Sequence, residues 1–327
     1  MGIHIMGTGS YLPEKVLTNQ DLEKILDTSD EWIRKRTGVL ERRMAAPEEA
    51  CSDLAVPACN QALDMAGLTA KDIELIIMCT ITPDTQCPAA ANWLQAKLDA
   101  PQALTFDVTA ACSGFIFGLN VAEQYLKART CSRVMVVASE VMTRVVDYTD
   151  RTTAILWGDG AGAVILSRGD EDPQILSTHA HTDGANGQNL LVPGGGSQVT
   201  PITHESVDKN LHSLKMIEAA ASVRVAVRRF VESCHEACQA NGATIDDISL
   251  FIPHQANLRM LQSVAKRLEV PMERLYVTVE KYGNISSASA PIALDEAVRK
   301  GCIKKGDKII LTAFGGGLTW GSALIRW

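Results

Sequence analysis

The segment GLTAKDIELII at 67–77 returns as GATIDDISLFI at 242–252, which is 175 residues later in a chain of 327. Each copy reads as a turn with Gly and Thr, an acidic residue and an apolar strand. The correspondence continues downstream. At an offset of 174, residues 284–289 fall opposite 110–115, which sets Ser286 against Cys112, and the strand at 308–312 falls opposite 134–138. The glycine-rich FGGGLTWGSALI (314–325) likewise parallels WGDGAGAVIL (157–166). Two long intervals, both rich in strands and helices, imply a duplicated α/β unit, because a solenoid needs three or more short repeats. Continuous apolar strands separated by helices predict a sheet covered on both faces. The expected organisation is therefore two halves, 1–170 and 171–327, with functional groups gathered where strand ends of the two halves meet.

Within the first half, LTFDVTAACSGFIFGLNVAEQYLKA (104–128) predicts a buried apolar strand that turns at Thr109 and Ala110 into a mostly apolar helix. Cys112 falls in the first turn of that helix. A thiol there faces unpaired backbone N–H groups and the positive end of the helix dipole, which favour the thiolate. Helix N-termini lower a cysteine pKa from about 8.5, whereas apolar burial raises it. Two readings fit Cys112 on this stretch alone: an activated nucleophile, or an inert core cysteine.

Composition narrows the function classes. With 46% hydrophobic and 21% charged residues the chain is globular, and a net charge of −7 argues against general nucleic-acid binding. No apolar run approaches the roughly 20 residues of a membrane span. Nine cysteines form no CxxC pair and follow no signal segment, which reads as reduced thiols in a cytosol. Cys234, His235 and Cys238 share helical spacing, but no second ligand pair accompanies them, so core packing is the reading and no metal is expected. Gly7 and Gly9 resemble the start of a dinucleotide fingerprint without the glycine-opened helix that would hold a pyrophosphate. The densest basic cluster, Arg34, Lys35, Arg36, Arg42 and Arg43 around Trp32, is either a solvated face or an aromatic platform with phosphate-binding arginines. Residues 181–213, rich in Gly, Ser, Asn and Pro, read as a long irregular connection able to cover a cleft.

If the repeat is right, three places converge. Cys112 opens the central helix of the first half, His254 in PHQAN ends the first strong strand of the second, and Asn284 precedes the helix that mirrors the cysteine helix. Alone, His254 reads as a structural histidine and Asn284 as an N-cap. Together they supply what acyl chemistry needs, a thiolate and two donors aimed at an oxyanion.

The segments DTSDEWIRKRTG, DVTAACSGF, DYTDRTTAILWGDGAGA, PHQANLRM, YGNISSASAP and FGGGLTWGSALIRW resemble beta-ketoacyl-acyl-carrier-protein synthase III of the thiolase superfamily, across nearly the whole chain. The resemblance implies a thiolase-like five-layered αβαβα fold, a cytoplasmic homodimer and a triad of Cys112, His254 and Asn284. It further implies that Cys112 takes an acyl group from acyl-CoA and that malonyl-acyl-carrier protein then loses CO2. His254 Nε2 and Asn284 Nδ2 would bond the thioester oxygen, and the backbone N–H groups of Cys112 and Gly316 the oxyanion. With a thiolate already favoured, His254 would not need to remove the thiol proton.

Acyl-CoA and the acyl carrier protein enter as substrates, and no cofactor is implied. By resemblance Trp32 and Arg151 stack the adenine of CoA, with Arg36, Thr37 and Asn257 near its phosphates and pantetheine arm. Arg259, Lys266 and Arg267 share a helix face, which is a solvated face or the landing site of the acidic carrier protein. Two departures remove bulk from the family's acyl pocket: Cys87 stands where many members have an aromatic residue, and Ala219 or Ala220 and Val223 stand for a glycine and an aromatic. A roomier pocket for branched or longer primers is expected. Rival readings are a specialised acyltransferase of secondary metabolism, a cysteine thioester hydrolase, and a binding module in which Cys112 is structural. A degradative thiolase would normally carry a second cysteine near the C-terminal glycines, and none follows Cys302.

Overall fold

A computed structural model describes residues 2–199, 202–217 and 219–327, with side chains left aside at 219–222. Nine strands form one mixed sheet. Five come from before residue 170: β1 (Ile3–Tyr11), β2 (Leu75–Cys79), β3 (Leu104–Val108), β4 (Arg133–Val141) and β5 (Asp159–Arg168). Four come after it: β6 (Gln174–Thr182), β7 (Leu250–Pro253), β8 (Lys308–Gly315) and β9 (Thr319–Arg326). Their order across the sheet is β7-β8-β9-β6-β1-β5-β4-β2-β3. β1 meets β6 only at Ile3 with Ile175 and His4 with Gln174, so two blocks of strands join at a narrow seam.

Helices complete the layers. α2 (Cys51–Ala66) and α3 (Ala90–Leu98) follow α1 (Asp30–Thr37) and pack Leu54, Ala58 and Leu94 on Ile76, Met78 and Ile165 of the first block. α5 (Ala219–Ala240) and α6 (Leu258–Leu268) pack Phe230, Leu261 and Val264 on Ile310 and Leu324 of the second. Between the blocks lie α4 (Gly114–Lys127) and α7 (Ser289–Arg299), whose Phe115, Ile116, Ile292 and Leu294 share a core with Ile77 and Leu311. The sequence of layers is α, β, α, β, α. Strands covered on both faces need apolar residues at every position, and β2 is buried at all five.

The register fixes the duplication. Leu75 lies beside Val134 in the parallel pair β2–β4, and Leu250 beside Ile309 in β7–β8. Each member of the second pair is 175 residues beyond its counterpart. The turns before α4 and α7 agree, since Ala111 and Ser286, also 175 apart, share the left-handed backbone at φ +47° and +46°. This corrects the offset of 174: the counterpart of Cys112 is Ser287. The slip by one arises because it gains an identity, Ser113 with Ser287, in a turn whose two copies otherwise share no letters.

Two other expectations change. β3 was expected to be buried, yet it is the free edge of the sheet, paired only with β2, and Leu104 is 56% exposed. Arg42, expected in a surface cluster, is fully buried and donates to the Leu17 and Ile155 carbonyls and to Asn19 Oδ1. The motif around Gly7 and Gly9 is a packing device: a Cβ at either would stand 2.3 or 2.1 Å from the carbonyl of Ala62 or Ala58 in α2. Cys234 and Cys238 lie in the outer core with His235 exposed, and among the described residues no cluster able to hold a metal occurs.

Candidate active site

Cys112 sits in the single turn Ala111–Ser113 that leads into α4. His254 follows β7 directly, and its N–H donates to the Thr312 carbonyl at 2.7 Å, which extends the ladder to β8 by one residue. Asn284 is clipped beside Trp157: its N–H donates to the Leu156 carbonyl at 2.8 Å, and its carbonyl accepts from the Gly158 N–H at 3.1 Å. All three are buried, and they line one cavity with Leu156, Trp157, Leu190, Met216 and Val223.

Hydrogen bonds aim the two polar groups. Asn284 Oδ1 accepts from the Ser286 N–H at 2.9 Å, which leaves Nδ2, a donor only, for the cavity. His254 Nδ1 is 2.6 Å from Ser289 Oγ, which leaves Nε2. The Ser289 oxygen also lies 2.9 Å from the Ser286 carbonyl and accepts from the Gln255 N–H at 3.2 Å. Its single proton has two places to go. Donated to the Ser286 carbonyl, it lets Nδ1–H donate to Oγ and leaves Nε2 a lone pair; donated to Nδ1, it leaves Nε2–H.

Protonation differs from the expectation of a resting thiolate. Burial pushes the Cys112 thiol up to about 12. The Ser286 hydroxyl and the backbone N–H of Cys112 pull it down, while the Glu140 carboxyl adds to the rise. The end of a helix supplies only a partial charge, and desolvation outweighs it. Burial lowers His254 to about 4, so the imidazole is neutral at pH 7. A neutral imidazole with a free Nε2 lone pair has the chemistry of a base toward a buried thiol in the wall of the same cavity.

Close approach governs the other side of the sulfur. A Cβ on Gly315 would stand 2.6 Å from the Cys112 nitrogen, so any side chain there would occupy the space before that N–H. Gly316 follows it and lines two cavities that meet at Cys112. Ile81, Met142, Trp157, Leu191, Val192 and Leu214 line the second. Of the residues expected in an acyl pocket, Val223 lines the first cavity and Cys87 lines neither. Cys87 is exposed, in a loop tied down by Gln86 Nε2, which donates to the Gly195 carbonyl at 2.6 Å, and by Thr85 Oγ1, which donates to the Pro88 carbonyl at 3.0 Å. The side chains of Ala219 and Ala220 lie outside the described residues. Of the described residues of the 181–213 connection, Gly187, Asn189, Leu190, Leu191 and Val192 line the two cavities, and Leu190–Leu191 pair with Lys215–Met216 just beyond it. The apolar run at 190–192 inside a glycine-rich stretch was a signal that sequence reasoning passed over.

Residues 106–184 match the family described as 3-oxoacyl-[acyl-carrier-protein (ACP)] synthase III, and residues 238–327 match its C-terminal part. The beta-ketoacyl-[acyl-carrier-protein] synthase III of Alkalilimnicola ehrlichii is 49% identical over 324 residues, 99% of this chain and 98% of that one. The chain belongs to the synthase III family. The crystal structure of the synthase III from Aquifex aeolicus VF5 is 42% identical and covers all of both chains at a TM-score of 0.92. The priming beta-ketosynthase of the R1128 polyketide pathway is 33% identical, covering 99% of this chain and 96% of that one at 0.90.

In this synthase III chain the Trp32 ring lies under two cations, with the guanidinium of Arg36 4.7 Å and that of Arg151 5.1 Å from its centroid. Arg151 is steadied by the carbonyl and carboxylate of Asp27, at 2.7 and 3.1 Å. Thr37, expected near CoA, is instead buried, and its hydroxyl is engaged at the Ile33 carbonyl and the Val39 N–H. Asn257 caps α6 by accepting from the Met260 N–H at 2.9 Å and lines the triad cavity. On α6 Arg259, Lys266 and Arg267 are exposed, while Leu261, Ala265 and Leu268 are buried.

Proposed function

We propose that this chain condenses an acyl-CoA primer with malonyl-acyl-carrier protein to give 3-oxoacyl-acyl-carrier protein, CoA and CO2, the step that initiates fatty acid synthesis. The observation that carries the reading is one cavity that receives a sulfur from the first half and two hydrogen-bonding groups from the second. We take 1–170 and 171–327 as the two duplicated units.

Cys112 Sγ bonds to the acyl carbon as the carbon–sulfur bond to CoA breaks, and the thiol proton passes to His254 Nε2 and on to the departing CoA sulfur. The backbone N–H groups of Cys112 and Gly316 hold the tetrahedral oxyanion. In the second half-reaction the bond to the malonyl carboxylate breaks, CO2 leaves, and its electron pair becomes an enolate. Asn284 Nδ2 and His254 Nε2–H bond that oxygen, the latter once the ring has given its Nδ1 proton to water and taken one from water at Nε2, a tautomer that the Ser289 hydroxyl holds by donating to Nδ1. The carbanion attacks the acyl carbon, the Cys112 thiolate departs, and a proton from water restores the thiol. Written this way, the reaction uses two substrates and no bound cofactor.

The platform of Trp32, Arg36 and Arg151 receives the adenine, with Asn257 on the pantetheine path. The exposed cations of α6 meet the acidic carrier protein, and the second cavity takes the acyl chain. An unpaired edge such as β3, with Leu104 and Trp93 exposed beside it, is a surface that a second copy of the chain would cover, and we assign the homodimer contact to it. Among the described residues no helix is long and apolar enough to cross a membrane, and nine free cysteines fit a reducing compartment, so we place the enzyme in the cytoplasm.

Incubation of the protein with octanoyl-CoA and malonyl-acyl-carrier protein tests the reading through the carrier product. A 3-oxodecanoyl carrier is expected. Free octanoate in place of it would favour a thioester hydrolase. The likeness to a polyketide priming enzyme supports a second reading, starter-unit supply to a specialised pathway, and turnover of only a dedicated carrier protein would favour that one.

A further inference from the structure

Glu140, at the end of β4, is fully buried, and nothing in the reaction described above uses it. Its Oε2 accepts from Thr82 Oγ1 at 2.8 Å and from Thr80 Oγ1 and the Ile81 N–H at 3.1 Å. Its Oε1 accepts from Ser287 Oγ at 2.7 Å and faces the Ser287 N–H at 3.4 Å. Among the described residues no lysine or arginine pairs with it. A buried carboxylate without a cation persists only where donors surround it, and five do.

The duplication explains where this carboxylate sits. At an offset of 175, Glu140 is the counterpart of Gly315 and Ser287 the counterpart of Cys112. Gly315 leaves open the space before the Cys112 N–H, and a Cβ there would be 2.6 Å from that nitrogen. In the other half the same place is filled by the Glu140 carboxylate, which takes the hydroxyl and faces the N–H of Ser287. One copy of the site is open to a substrate oxyanion; the other is occupied by the protein's own anion.

We propose that Glu140 is a positioning residue of the condensation: its carboxylate locks the turn at 286–289, which orients Asn284 through the Ser286 N–H and His254 through Ser289, and its charge adds to the burial that holds Cys112 as a thiol until substrate arrives. This rests on the reaction proposed above. The groups that face Glu140 are thiols, namely Cys51 from α2, Cys79 from β2 and Cys112 from the turn before α4; Asp84 and Asp107 stand beyond the first two. Burial raises the Glu140 carboxyl itself, and Ser287, Thr82 and the Ile81 N–H counter that rise. With no cation nearby, its charge is felt by Cys112 across Ser286, whose hydroxyl has no settled partner elsewhere.

The test pairs Glu140→Gln with Ser287→Ala and reads two quantities: CO2 release from malonyl-acyl-carrier protein, and the pH profile of iodoacetamide labelling at Cys112, followed by peptide mass. Glu140→Gln turns an amide toward backbone donors, so CO2 release is expected to fall about ten- to hundredfold. Its labelling profile should move to lower pH, which a merely structural role would not cause. Ser287→Ala keeps the charge and removes one donor, so CO2 release should fall while the labelling profile stays. Unchanged CO2 release in both variants, or an unmoved profile in Glu140→Gln, would overturn the proposal. Should Glu140→Gln fail to fold, unchanged CO2 release in Ser287→Ala alone rejects it. Labelling needs no acyl or malonyl substrate, and absence of CO2 release from the unsubstituted enzyme would count against the reaction rather than against Glu140.

Discussion

The hydroxyl of Ser289 stands 2.6 Å from His254 Nδ1 and 2.9 Å from the Ser286 carbonyl, so the direction of its proton sets which imidazole tautomer is favoured, and with it whether Nε2 is a base or a donor. Ser289→Ala removes the hydroxyl that donates to Nδ1 in the Nε2–H form, while the Ser286 carbonyl remains as an acceptor beside the ring, so the Nδ1–H form is favoured. Acylation of Cys112, which needs the lone pair, should persist, while CO2 release, which needs Nε2–H, should fall about ten- to hundredfold. Equal losses in both half-reactions would reject this role of Ser289. The thiol, raised to about 12, gives a second expectation: labelling of Cys112 climbs about tenfold per pH unit from 7 to 10, with no plateau near 8. His254, lowered from 6.5 to about 4, gives a third. Below pH 6.5 the unfolded chain binds a proton that the folded chain refuses, so stability falls as pH falls towards 4, by about 3 kcal/mol for this group. Urea melts across that range should show a smaller loss in His254→Gln. The identities of Cys112, His254 and Asn284 were legible because each lies in a short run of letters. Their protonation was not, because burial belongs to the tertiary structure.

Helices and loops are where the proposed reaction would meet its substrates. Reversing charge at Lys266 and Arg267 on α6 should raise KM for malonyl-acyl-carrier protein about tenfold, roughly 1.4 kcal/mol, with KM for acyl-CoA unchanged. Added salt should weaken the unsubstituted enzyme in the same direction. A rise in both KM values would mean that the face does not discriminate. In the second cavity, Leu214→Trp should cost octanoyl-CoA more turnover than acetyl-CoA, since the added ring takes space that only the longer chain reaches. The amphipathic face of α6 was readable from its period, whereas the setting of Cys87 was not, because its loop is tied to Gly195, more than 100 residues away. The burial of Thr37 was hidden for a local reason: its hydroxyl closes the end of α1 at the Ile33 carbonyl and the Val39 N–H.

For the molecule as a whole, duplication set two blocks of strands face to face across α4 and α7, then let the copies diverge in role. The first copy keeps the nucleophile and the open amide; the second keeps the two hydrogen-bonding groups. The repeat of strands could be read in the sequence, although the register around the two turns needed the paired strands to move it from 174 to 175. The edge of β3 stayed hidden, because an apolar strand reads the same at the margin of a sheet as in its middle. One time course of intact mass tests the account most directly, with octanoyl-CoA added first and malonyl-acyl-carrier protein second. An octanoyl adduct is expected on the unsubstituted enzyme and is discharged by the second substrate; Cys112→Ala should form none, and Asn284→Ala should form one and keep it. An adduct on Cys112→Ala, or full discharge in Asn284→Ala, would contradict a site built from both halves.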